Sequence, residues 1–533
     1  MTVKRRGLFA LGISILLWFS FAPLGWARLS YFPFQDVQQG MEAVGKTVFY
    51  GTKVEDFRVE VIDVVRGKSL NDSYFVIQVK DQRVKSLGGI SAGMSGSPIY
   101  IKGKIAGALA YSWETQDNLV GVVTPIEAML SIWKEEEAIV PLNGSGSSVV
   151  FLRGFQGRAG ELLAQTLQAD FSLRRVFTLP SFLFWGRAEE KNHTLEPGGA
   201  IGIQLLTGDA EILSIGTLTF RDGERILALG HPFLHRGKVS YFLSSVYVNF
   251  SLKGEEFPFK VGTSLETVGM IDQDRGVGVS GRIGTLPEGS EIHVTVKEGS
   301  KKGDYHYTAV RDSAILLEIL PKVILDSVDR TIDSQTPGSG NVRLKMEKAD
   351  FSLQEEFFMI SDTDIGSTIS DSMGKVLEMI LANPYQDAAP EKMELDIEIF
   401  PDIQKGWLLA TEFPRIVKRG ETAEGRISFF LYRQGERTIA FPFTVPADFA
   451  AGEAEVIVQG RGSGEESSAS PGNLPPTLGE YLQSKFEEFR RNGVKIEVVA
   501  KMESSDRYKT YFAQNIYLPV ILEGNFSSKV WIN

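Results

Sequence analysis

Cysteine is absent from the 533 residues. That excludes disulfides, thiolate zinc sites, iron–sulfur clusters, cysteine nucleophiles and a lipoprotein anchor. Histidine is scarce: only His193, His231, His235, His293 and His306 are present, so any imidazole chemistry draws on a short roster. Positive charge is in deficit, with 56 Lys plus Arg against 67 Asp plus Glu and a formal charge of −11, which argues against a nucleic-acid binder. What is present is ordinary globular composition, 43% hydrophobic and 23% charged, which excludes wholesale disorder. The 54 Gly, 34 Phe and 15 Tyr favour short strands and tight turns over an all-helical chain. At roughly 150 residues per domain, the length implies three or four units.

The chain begins MTVKRRGLFALGISILLWFSFAPLGWA, with Lys4, Arg5 and Arg6 ahead of an uncharged run from Leu8 to Ala22, then Gly25 and Ala27. This pattern predicts a secretory signal, residues 1–27, cleaved after Ala27. Leu8 to Ala27 is also long enough to be an uncleaved anchor, but Pro23 and Gly25 interrupt it where processing should occur. Cleavage removes three cations and no acid, leaving no membrane span. The mature chain is then expected outside the cytoplasm, periplasmic or secreted, where nicotinamide or ATP chemistry is not expected.

Alternating apolar residues in FRVEV and YFVIQVK predict half-buried strands in a unit over 36–140. Lys102 to Lys104 joins two apolar runs as a hairpin. In TPIEAMLSIWKEEE, Thr124 and Glu127 read as a capping box with Pro125 at the first helical position. LNGSGSS, 142–148, reads as a linker to a second β-rich unit over 150–330, with a hairpin turn at Asp222 and Gly223. Residues 331–400 read as mixed α/β, with a helix ending before Asn383 and Pro384. RISFFLYR, IAFPFTV and AEVIV predict an immunoglobulin-like sandwich over 401–461. A flexible linker, 462–477, and a C-terminal helix with strands, 478–533, complete the organisation.

Chemistry concentrates in GGISAGMSGSPIYIKGKIAGALAYSW, residues 88–113. Gly93 and Gly96 flank Ser95 and permit a sharp turn that lifts one hydroxyl while aiming amides inward. With this spacing the amides of Gly93 and Ser95 converge on a developing oxyanion, as in trypsin-like enzymes. The plainer reading of GxSG alone is a loop between two strands.

GMSGSP has the frame of the trypsin-like GDSGGP, and GGISAGMSGSPIYIKGKIAGA more closely resembles the SpoIVB-type serine peptidases. GTLTFRDGERILALGHPF, 216–233, resembles that family's histidine segment. The resemblance implies a mainly β fold, a chymotrypsin-like double β-barrel, with Ser95 as nucleophile and His231 as general base. Asp81, in VKDQRVKSLGGISAGMS, fits the family's aspartate position with a one-residue shift. Its implied role is to fix the His231 tautomer; Asp72 and Asp117 are nearby competitors, and a surface turn carboxylate is the plainer reading. The order of motifs is rearranged, since every histidine follows Ser95, and no clear PDZ-like segment is visible.

Other motifs fail their context. His231 and His235 are four apart, but Pro232 and the lack of a following Glu argue against a zinc helix, so no metal is expected. GVGVSG, 276–281, lacks the helix a dinucleotide fingerprint needs. Sequons at Asn71, Asn143, Asn192, Asn249 and Asn525 matter only in a eukaryotic secretory route. The sequence therefore predicts a cofactor-free extracytoplasmic serine endopeptidase acting on protein or peptide substrates. The rival is a non-catalytic envelope protein using the same fold to bind a partner.

Overall fold

The computed structural model describes residues 30–533 apart from 114–117, 135–147, 172, 180–194, 255, 450, 464–474 and 502–507. The expected signal 1–27, Asp117, His193, and most of both expected linkers lie outside the described residues. Among the described residues no helix is long and apolar enough to cross a membrane.

Six strands close a first barrel: β1 (Glu42–Val48), β2 (Val54–Val65), β3 (Tyr74–Val79), β4 (Pro98–Ile101), β5 (Lys104–Ser112) and β6 (Val120–Pro125), in the order β1-β2-β3-β6-β5-β4. Phe57, Val59 and Val61 point inward along β2, as their alternation predicts, and join Phe75, Ile77 and Val79 of β3 in one core. The β4–β5 hairpin turns on Lys102 and Gly103, both at positive φ, the backbone that a two-residue turn between twisted strands requires. A short helix, α1 (Gln82–Ser86), precedes the serine loop, and α2 (Ile126–Ser131) follows β6.

The capping box expected from Thr124 and Glu127 does not form. Pro125 is the residue before the first helical turn and no side chain caps it. The Thr124 hydroxyl is buried and donates to the Gly230 carbonyl at 2.7 Å, while the Glu127 carboxylate accepts from the Phe34 amide. Both side chains are drawn to long-range partners that a local motif cannot compete with.

After β7 (Val149–Arg153), α3 (Gly157–Asp170) and β8 (Arg175–Leu179) come β9 (Ala200–Gly208), β10 (Glu211–Asp222), β11 (Arg225–Ala228), β12 (Gly237–Lys253), β13 (Pro258–Arg275) and β14 (Gly278–Ile283). Their order β9-β12-β13-β14-β11-β10, with β10 also paired to β9, closes a second ring. GVGVSG supplies the β13–β14 turn and the start of β14, consistent with its failure as a nucleotide loop.

The sheet continues from β9 through β16 (Lys301–Val310), β15 (Gly289–Glu298), β19 (Lys392–Phe400), β17 (Gly338–Lys348) and β18 (Phe351–Ser361). Helices α4 (Ser313–Ile332) and α5 (Ile365–Leu381) share its core; α5 stops just before Asn383 and Pro384, as expected. Half-buried Arg158 of α3 pairs with Asp329 of α4 at 2.8 Å and with Asp364, the residue that caps α5. The mixed segment 331–400 is thus joined to the histidine-bearing unit by both sheet and core.

The last unit packs two sheets on one core. One holds 435–444, 422–431, 405–412 and 521–523; the other holds 416–417, 525–532, 452–460, 494–501 and 508–516. The expected module 401–461 therefore stops too early. Residues 494–532 supply strands to both sheets, and Val494, Ile496, Leu522 and Ile532 are buried with Ile427, Phe443 and Val456. A sandwich half from 401–461 alone would leave that apolar face in water. Helix α6 (Leu478–Phe489) instead turns Leu482 and Phe486 into the core of the larger sheet.

Candidate active site

The serine loop leaves α1 through Gly88 and Gly89 and enters β4 at Pro98. Its register is set from both barrels. From the first, the Gly96 amide donates to the Leu109 carbonyl at 2.7 Å and the Leu109 amide to the Ser97 carbonyl at 2.9 Å. From the second, the Thr217 amide donates to the Ser95 carbonyl at 2.8 Å, and the hydroxyls of Thr217 and Thr219 donate to the carbonyls of Gly93 and Gly96. Gly93 and Gly96 both have φ of 94°, a region L side chains avoid. A Cβ at Gly96 would lie 1.9 Å from the Thr217 carbonyl oxygen, so only glycine lets the loop approach β10 this closely.

The amides of Ala92, Met94, Gly96 and Ser97 are all taken by carbonyls. Those of Gly93 and Ser95 have no partner among the described residues. The two free amides are the pair that the Gly-x-Ser spacing singles out. Of the three serines in the loop, Ser91 and Ser97 are buried, whereas Ser95 is partly accessible. The Ser95 hydroxyl donates to the Ala110 carbonyl at 3.3 Å.

His231 follows β11 after two residues at positive φ, Leu229 at 67° and Gly230 at 73°. A leucine in that region stores strain of the kind that collects where the surroundings over-determine a site. Gly230 packs on Ala108 and Ala110, and the His231 ring lies 5.4 Å from the ring of Tyr111. Ser95 and His231 thus meet the same Ala110–Tyr111 segment of β5 from opposite barrels. Nδ1 of His231 is 2.7 Å from the Pro232 carbonyl, and since a carbonyl only accepts, that nitrogen carries the proton. Nε2 is left as a bare acceptor, buried and without a partner. Burial lowers the imidazole to about 4, with the Pro232 carbonyl opposing weakly, so the ring is neutral near pH 7.

Asp81 is not the group that orients this ring. Its carboxylate caps α1 by accepting from the Arg83 amide at 2.9 Å and faces the Arg83 guanidinium at 3.5 Å. The Pro232 carbonyl occupies the place at Nδ1 that a triad aspartate would take. An Asp just after a strand and before a short helical run is a cap signal, which the reading of Asp81 as a triad member passed over.

Three side chains near the site escaped the sequence reading. Asp274, wholly buried, accepts from the amides of Phe233 at 2.8 Å and Leu234 at 2.7 Å and so holds the segment after His231. Burial raises its carboxyl, and the backbone amides oppose that rise. Lys260 of β13 is also fully buried: its stem lies against Gly93 and its ammonium nitrogen is 2.7 Å from the Thr47 hydroxyl. Desolvation lowers it to about 7. Tyr111 is pushed up to about 12 by burial. An isolated Lys or Asp in an alternating strand carries no mark of such burial.

Residues 30–130 match the family model of the SpoIVB peptidase S55. The resemblance carried by GGISAGMSGSPIYIKGKIAGA is borne out over this stretch, which includes the whole first barrel and Ser95. His231 lies beyond the matched span. No curated protein and no solved structure matches the chain significantly. The match points to a peptidase domain, and hence to protein or peptide substrates.

Proposed function

We propose that the protein is an extracytoplasmic serine endopeptidase in which Ser95 and His231 form the reacting pair. Rotation of the Ser95 hydroxyl away from the Ala110 carbonyl presents its proton to Nε2 of His231. Catalytic hydrogen bonds of this kind are often unmade before substrate binds. Ser95 Oγ attacks the peptide carbonyl, Nε2 takes the proton, and the amides of Gly93 and Ser95 receive the oxyanion. The proton then passes to the leaving amine, and water repeats the sequence on the acyl-enzyme. The Pro232 carbonyl keeps Nδ1 protonated throughout, while Asp274 holds the segment that follows.

The observation that carries this reading is the buried, partnerless Nε2 of His231, on a ring packed against the Ala110–Tyr111 segment that also receives the Ser95 hydroxyl. A fluorophosphonate probe should label the protein. Ser95→Ala should abolish labelling, whereas Ser91→Ala and Ser97→Ala should retain it. Equal labelling of Ser95→Ala would overturn the assignment. The burial of His231, 1% exposed, favours a second reading, a folded but inactive envelope protein that binds a partner. Folded wild-type protein that neither labels nor cleaves peptides would decide for it.

A further inference from the structure

On the β15–β16 hairpin, two of the chain's five histidines stand directly opposite each other. His293 pairs with His306 in the antiparallel register. Their rings stack with centroids 4.3 Å apart and planes inclined by 13°. Asp304, two residues before His306 and so on the same face of β16, places Oδ1 2.5 Å from Nε2 of His293. One ligand atom from each of the three lies within 4.8 Å of the other two.

The backbone beneath them is fixed, because the alternate residues Ile292, Val294, Tyr305 and Tyr307 are buried. On the neighbouring strand β19, Glu394 lies opposite His293 but is engaged by Lys392 at 2.6 Å and Lys345 at 3.8 Å. The donor set is therefore two imidazoles and one carboxylate, open to solvent above. Tetrahedral zinc with bonds of about 2.0–2.1 Å wants its ligand atoms roughly 3.3 Å apart. The present spacings, from 2.5 Å between His293 Nε2 and Asp304 Oδ1 up to 4.8 Å across the cluster, bracket that distance.

We propose that His293, Asp304 and His306 bind a borderline transition-metal dication, Zn2+ foremost, as a tridentate site with its remaining position taken by water. Two imidazoles and a carboxylate suit zinc and nickel, whereas calcium and magnesium prefer all-oxygen shells. The site needs no cysteine, which the chain lacks. A bound ion cross-links β15 to β16 at the junction where the second ring passes into the β17–β19 layer. The ion stabilises the folded chain by mass action.

Isothermal titration of the full chain, stripped with EDTA and dialysed, with ZnCl2 and then NiCl2 tests it. One ion per chain is expected, with a dissociation constant in the micromolar range and a raised melting temperature. His293→Gln and His306→Gln should each weaken binding by about tenfold or more, as loss of one of few ligands does, and the double variant should abolish it. His235→Gln should bind as wild type does. Circular dichroism checks that the variants, all at the surface, are folded. No heat with wild type, or unchanged stoichiometry and affinity in the folded double variant, would overturn the proposal.

Discussion

The first barrel and the second ring divide the site unequally. The first barrel is built from near neighbours, each of its six strands lying between Glu42 and Pro125, and it holds both Ser95 and the free amides. The second ring uses much longer strands, β12 and β13, whose pairing is interrupted by repeated register shifts, and such bulges bend strands enough to close a ring. It contributes His231, and also the restraints on the serine loop: Thr217, Thr219 and the stem of Lys260. Ser95, the proposed nucleophile, thus belongs to one barrel by sequence and to the other by support. A motif of six residues can name a nucleophile, but its geometry is held by residues more than a hundred positions away.

The largest expected effect follows from removing His231, the base proposed from the second ring. His231→Ala should lower turnover of a cleavable peptide by at least ~10³-fold, since members of a catalytic set act as a unit. In the wild type, the acid limb of kcat/KM should fall near pH 4 and not near 6.5, because burial keeps the imidazole neutral down to about 4. A limb near 6.5 would place the base elsewhere.

Next in size is the contact between barrels at Gly96. Gly96→Ala sets a Cβ against the Thr217 carbonyl at a positive φ, and should destabilise the protein by about 3 kcal/mol and abolish probe labelling. Denaturant titration beside labelling measures both. If the variant were stable and active, the loop would not be held against β10.

Lys260 distinguishes the barrels by pH. Its folded-state value, lowered to about 7 from 10.5, means the unfolded chain binds the extra proton between those values. Stability should therefore rise with pH through that window, by a few kcal/mol at most. Lys260→Met removes the titrating group from both states, so the rise should vanish in urea melts at pH 7 and pH 10.

The smallest effects fall on groups outside the chemistry. Thr217→Val and Thr219→Val should each cost about 1 kcal/mol of stability and slow labelling modestly. Asp81→Ala should cost about 1 kcal/mol as a lost cap and leave turnover within about tenfold of wild type, as should His235→Ala. A loss of ~10³-fold in Asp81→Ala would restore it to the role the resemblance implied.

Local periodicity made most strands and turns legible. The alternation in Phe57, Val59 and Val61, the Lys102–Gly103 turn, the end of α5 before Pro384 and the strands of 405–460 all follow from side-chain direction and backbone preference within a few residues. The Asp222–Gly223 signal is one residue early: β10 runs through Asp222 and pairs it with Arg225 across Gly223 and Glu224. Thr124 and Glu127 misled, because their hydroxyl and carboxylate had distant partners that no local pattern reveals. The same holds for residues 494–532, whose place in the C-terminal sandwich depends on sheet order.

The chemistry on offer is written in the residues themselves: no thiol, five imidazoles, and a Gly-x-Ser spacing that points to the amides of Gly93 and Ser95. Which groups meet around that serine is settled by tertiary contacts. Burial makes His231 neutral, the Pro232 carbonyl and not Asp81 sets its tautomer, and strand register brings His293 to His306. Desolvation and cross-strand distance depend on atoms far apart in the chain, so they are decided by closure of the barrels and not by any run of residues.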